Sequence, residues 1–168
     1  MSLGPNVIVE TIPTSTGMSA RESSFNAPAI ETVNARLEQV GVFRDDSVGA
    51  NQSFTAMQFQ AIDAAAPIDV VAGRAGEIWG IVARAFDTGT TGAITAGTMT
   101  FQATIGGTQV GDVATLTPSV LKIETFLSTP VAFAAGDQLG IKNASTSLAP
   151  TTSRAHAWLL IRWTALST

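Results

Sequence analysis

An all-β domain, a sandwich or a barrel, is the fold class this sequence predicts, and three observations carry the prediction. The first is strict alternation in residues 77–105, where Met99, Phe101, Ala103 and Ile105 interleave with Thr98, Thr100, Gln102 and Thr104. Period two over that length marks a half-buried strand. The second is punctuation. FTAMQFQAI, IDVVA, EIWGIVARAF, TMTFQATI, VLKIETFL, VAFAA, QLGIKN and AHAWLLIRWTAL are separated by Gly, Pro, Asn, Asp and Ser/Thr clusters. Roughly eight segments with a turn signal about every dozen residues suit an antiparallel sandwich. The third is composition: 13% of the 168 residues are charged and 45% are hydrophobic. That balance does not suit disorder, and the length is enough to bury a core in one domain.

Taken in order, residues 1–25 hold a short β-like run, Val7-Ile8-Val9, and then the Ser/Thr-rich stretch TIPTSTGMSARESS. They read as an extended arm or linker, able to order against a partner. Residues 27–40 read as one short helix. Asn26 or Ala27 caps it, Pro28 sits in the first turn, and Gly41 stops it. Ile30, Val33, Leu37 and Val40 form a narrow apolar seam, suited to packing on the chain's own β-domain or on a neighbouring subunit. Residues 42–52 read as a turn-rich connection with a boundary at Gly49. The expected organisation is therefore an arm with its helix over 1–50 and a β body over 51–168.

Within the body, Trp79, Ile81, Ala83 and Ala85 are assigned to one side of their strand, and Ile78, Val82 and Phe86 to the other. Ile105-Gly106-Gly107-Thr108 reads as a tight hairpin with positive φ at the glycines, and Ala135-Gly136-Asp137 as a second turn. Pro67, Pro118, Pro130 and Pro150 are expected between strands, where they break no ladder. The last strand has apolar residues on both faces: Ala157, Leu159, Ile161 and Trp163 on one, Trp158 and Leu160 on the other. Such a strand is central in a sheet or lies at a subunit contact.

The residue inventory narrows function mainly by exclusion. Net charge is −4 with no Lys/Arg cluster along the chain, so no nucleic-acid partner is expected. Cysteine is absent, which removes disulfides, thiolate catalysis and Cys-ligated zinc. The N-terminus lacks the basic and apolar regions of a signal peptide, and no apolar run approaches the roughly 20 residues of a membrane span. A soluble protein made in a cytoplasm is expected, with no membrane partner. So low a charge content suits a body partly covered by copies of itself.

His156 is the only histidine. It stands between alanines in a strand, with no nucleophile elbow or Gly-rich oxyanion loop nearby, so catalysis is not expected. One histidine also excludes a multi-histidine metal site. Glu77, Glu124 and Asp137 are the body's candidate carboxylates, each in a setting that suits a solvated acid. Asp45-Asp46 lacks the spaced ligands of a calcium loop. The expectation is no catalytic, cofactor-binding or metal-binding residues. Trp79, Trp158 and Trp163 raise the alternative of sugar stacking, and Trp158 is the foremost of them because His156 and Arg162 share its face.

A strand ending in an apolar-Gly-Gly-Thr turn (TFQATIGGTQVG), followed by VAFAAGDQLGIKN and the closing strand AHAWLLIRW, resembles jelly-roll domains of tailed-phage virion proteins. The likeness covers residues 51–168. It implies a jelly roll of about eight strands in a non-enzymatic head-decoration, head-fibre or tail subunit, commonly trimeric. It also implies location in the virion after synthesis in a bacterial cytoplasm, with the major capsid protein among the partners. On this basis Val7, Ile8, Val9, Ile30, Val33, Leu37, Val40 and Trp158 are the expected partner or oligomer contacts. A receptor- or glycan-binding module acting on a host-surface glycan is the alternative.

Overall fold

In a computed structural model of the chain, residues 37–59, 69–87, 89, 92–151 and 153–164 are described. They form ten strands: β1 (Glu38–Asp45), β2 (Gln52–Ala56), β3 (Gln58–Phe59), β4 (Asp69–Val71), β5 (Gly76–Asp87), β6 (Ala96–Ile105), β7 (Thr108–Leu116), β8 (Lys122–Phe133), β9 (Gln138–Ala149) and β10 (Ser153–Trp163). Every pairing is antiparallel. One sheet runs β3-β1-β10-β5-β8, and the other runs β2-β9-β6-β7 with β4 also paired to β9. The all-β, sandwich-like class expected from periodicity is the one that forms.

The pairings nest. β6 and β7 make a hairpin, β5 pairs with β8, β2 and β4 pair with β9, and β1 pairs with β10. Two further pairings, β10 with β5 and β6 with β9, knit this folded ribbon into two sheets. The chain changes sheet at Met57, between β2 and β3, where the Met57 amide donates to Ile141 O at 2.9 Å and the side chain is fully buried. Phe43, Ile81 and Leu159 from one sheet and Phe101, Leu116 and Ile141 from the other share a single core. Removing that apolar area from water supplies the main stabilisation.

Strand β7 is the second strand of the expected Gly-Gly hairpin, and VLKIETFL with VAFAA proves to be one strand, β8. Pro130 therefore lies inside a strand rather than between two. β8 is the edge of its sheet, and its register on β5 shifts between Phe126 and Val131, so the missing N–H leaves no ladder bond unmade. The Gly106-Gly107 turn forms as expected, with φ of 56° and 75° between the paired residues Ile105 and Thr108. In the second turn, Asp137 accepts a hydrogen bond from the Ala134 amide at 2.8 Å.

The expected helix needs correction where the structure describes it. Leu37 lies outside any regular element, and Glu38, Gln39 and Val40 begin β1 rather than ending a helix. Gly41 is not a helix stop. It sits at φ 79° in a bulge, between the pairs Val40–Leu159 and Phe43–Ala157. A Cβ there would lie 2.7 Å from the Phe43 ring and 3.0 Å from the Phe59 ring, so the position needs both the left-handed backbone and the missing side chain. Pairing along β10 overrides the local helical pattern, as tertiary context commonly does. The compact unit begins at Leu37, so Gly49 lies in a connection inside it rather than at its boundary. The arm, the remaining helical positions and the contacts Val7, Ile8, Val9, Ile30 and Val33 lie outside the described residues.

Candidate functional site

The outward side of the β3-β1-β10-β5-β8 sheet holds the chemically diverse side chains, and a bulge decides part of its make-up. β10 residues Leu160 and Ile161 pair with Gly80 and Ile78, leaving Trp79 as the extra residue. The bulge reverses the phase of β5. Ile78 and Ile81 both enter the core, while Trp79 moves to the opposite side from Ile81, contrary to the expected assignment. There Glu77 accepts hydrogen bonds from Trp79 Nε1 at 3.0 Å and Arg162 Nη2 at 2.6 Å, and the Arg162 guanidinium lies 4.5 Å above the indole. The Trp79 bond, and then the Arg162 bond, hold the Glu77 carboxyl below its ordinary range against a smaller opposing effect of burial.

Further along the same side, Arg44 of β1 stands opposite His156 of β10, His156 opposite Arg84 of β5, and Arg84 opposite Lys122 of β8. The imidazole meets the Phe86 ring edge-on at 5.2 Å and Trp158 at 6.3 Å. Its Nε2 is buried and has no hydrogen-bond partner. Burial first, and then the Arg44 and Arg84 charges, push the His156 pKa down. Among the described residues, no nucleophile lies in hydrogen-bond contact with it.

Beside this row, a cleft of about 470 Å³ opens at the end of β1, lined by Arg44, Asp45, Asp46, Gln52, Thr55 and Gln58 among others. The Asp45 carboxylate is already satisfied. It accepts from the Ser47 amide at 3.1 Å, from Gln52 Nε2 at 3.0 Å and from Asn143 Nδ2 at 2.9 Å, tying β1 to the opposite sheet. Asp46 instead faces Arg44 at 3.0 Å and Arg154 at 3.7 Å. The two neighbouring acids thus serve separate networks. Among the described residues, no group of three His, Cys, Asp or Glu side chains could hold a metal ion.

The sequence-derived candidates are scattered. Val40 faces inward opposite Leu159 and packs, partly buried, against the core. Leu37 is half-buried ahead of β1, and Trp158 is half-buried on the outward side. Trp163 packs edge-on against Phe133 at 5.6 Å and donates to Glu38. Glu124 is exposed in β8, Asp137 closes a turn, and Glu77 holds Trp79 and Arg162, so these carboxylates serve separate local contacts. Trp158 and His156 are the two candidates brought together. Sequence reading missed the basic row, because its members are dispersed along the chain and meet only through strand register. Comparison with known proteins finds no matching protein family and no matching curated protein.

Proposed function

We propose that this chain is a jelly-roll subunit of a tailed-phage virion, non-enzymatic and homotrimeric, attached to the particle through its N-terminal residues. The observation that carries the jelly-roll assignment is the strand order. Nested pairs ending in a hairpin, folded into β1-β10-β5-β8 opposite β2/β4-β9-β6-β7, are what two successive Greek keys produce. That fold serves capsid subunits, lectins and metal-dependent cupins alike. The single histidine argues against the last. The low charge content supports a body covered by its own copies, and Val113, Leu121 and Phe126 are exposed large apolar side chains on β7, β8 and the segment joining them.

Two measurements test the proposal. Purified chain should show a native mass three times the 17.3 kDa monomer, and a monomer would overturn the trimer. Antibodies to the recombinant chain should label phage particles released from the strain that carries its gene. Unlabelled particles, with the chain left in the soluble fraction, would overturn the virion assignment. Half-exposed Trp158 beside a row of basic groups favours a second reading, a glycan-binding module.

A further inference from the structure

The row Arg44–His156–Arg84–Lys122 places four basic side chains directly opposite one another across four strands, a span of about 14 Å at the usual strand spacing. Like charges in opposed positions are destabilising, and Arg84 and Lys122 stand directly opposite each other, so an anion laid across them would relieve the pair. The compensation within the protein is partial. Asp46 serves Arg44 and Arg154, and Glu124 lies two residues along β8 from Lys122. Arg84 has no carboxylate partner among the described residues, and its guanidinium lies over the Phe86 ring at 4.7 Å. His156 Nε2 is buried without a partner.

The geometry points to this row as a binding site for an acidic saccharide, with a sugar carboxylate held by Arg84 beside His156 and the sugar ring laid on the Trp158 indole. Charge complementarity selects the carboxylate, for which the planar guanidinium fork is well matched. The partly exposed Trp158 would present its indole to the C–H side of a pyranose. An added peptide strand is disfavoured, because β10 and β5 are interior strands with both edges already hydrogen-bonded. A nucleic acid fits poorly with a chain of net charge −4. The proposal does not depend on the virion assignment, and the particle-labelling result leaves it untouched.

Binding should be linked to protonation. The charged groups around His156 are Arg44 from β1, Asp46 from the turn after it, Arg84 from β5 and Arg154 from β10 itself. A carboxylate brought close to the imidazole favours its protonated form, so affinity should rise as pH falls through and below the ordinary histidine value of 6.5. His156 is the only histidine, so its imidazole NMR signals are unambiguous reporters in the full-length chain. Three probes are titrated: an oligogalacturonate, a neutral maltooligosaccharide of equal length, and an oligoglutamate of equal charge. The uronate should move the imidazole signals and change tryptophan fluorescence, while the other two bind at least about tenfold more weakly. Arg84→Gln should weaken uronate binding about tenfold, the scale of one lost charge-assisted hydrogen bond. Arg162→Gln, which alters a cation already paired with Glu77, should not weaken it. Circular dichroism confirms that each variant is folded. Equal binding of the neutral sugar or the oligoglutamate, equal effects of the two arginine substitutions, or no imidazole response would each overturn the proposal.

Discussion

Substituting Gly41 tests the bulge that replaces the expected helix end. In Gly41→Ala, an L-residue must hold φ 79°, which costs about 1–2 kcal/mol. The new Cβ would also stand 2.7 Å from Phe43 Cε2 and 3.0 Å from Phe59 Cε2. Phe43 is fully buried, and the two rings pack with centroids 5.5 Å apart, so relieving the clash displaces core side chains at about 1–3 kcal/mol. Together the two effects predict a loss of about 3 kcal/mol, or about 10 °C in melting temperature for a domain of this size. Gly106→Ala is the matched control. It also has positive φ, at 56°, but nothing lies within 4 Å of its Cβ position, so it should lose only about 1 kcal/mol. Gly41→Asn separates the two structural accounts further. Asparagine tolerates the left-handed backbone and would rescue a helix stop, yet its Cβ meets the same rings in the bulge. Urea denaturation of the three variants measures the differences. If Gly41→Ala and Gly106→Ala agree within about 0.5 kcal/mol, or if Gly41→Asn restores full stability, the ring-contact explanation is wrong.

Two other perturbations probe the polar networks. Glu77 has its pKa lowered in the folded protein, so its stabilisation is present above its ordinary value of 4.5 and fades as pH falls through the lower folded value. Because Glu77 and Arg162 side chains are 34% and 39% exposed, Glu77→Gln should cost about 1 kcal/mol or less at neutral pH. Its stability difference from wild type should shrink below pH 4.5, and a gap that is constant from neutral pH into acid in denaturation curves would refute the linkage. Asn143→Ala removes a fully buried donor to Asp45 and should cost about 2 kcal/mol. A chemical-denaturation loss below about 0.5 kcal/mol would mean that solvent replaces the amide.

How far the sequence reached follows from the range of the interactions involved. The alternation of β6, the Gly-Gly hairpin and the two-faced character of β10 depend on neighbours along the chain, and all three were legible. Trp79 was assigned to the wrong side because a bulge is invisible in a single strand's periodicity. It exists only where the strand is matched against a partner with one residue fewer. The helix reading of residues 38–40 failed for a related reason: Val40 has a helical neighbour pattern, but its pairing with Leu159 decides the outcome.

The same division applies to the candidate site. The sequence by itself determined the fold class, the scarcity of charge and the presence of a single histidine, because these follow from residue identity and local spacing. Tertiary structure alone decided that Arg44, His156, Arg84 and Lys122 share one row. Each reaches the outward side through its own strand's alternation, but their opposition depends on register, which is set by bulges and by pairings between distant parts of the chain. A one-residue slip in any of those strands would turn its basic group inward and disperse the site.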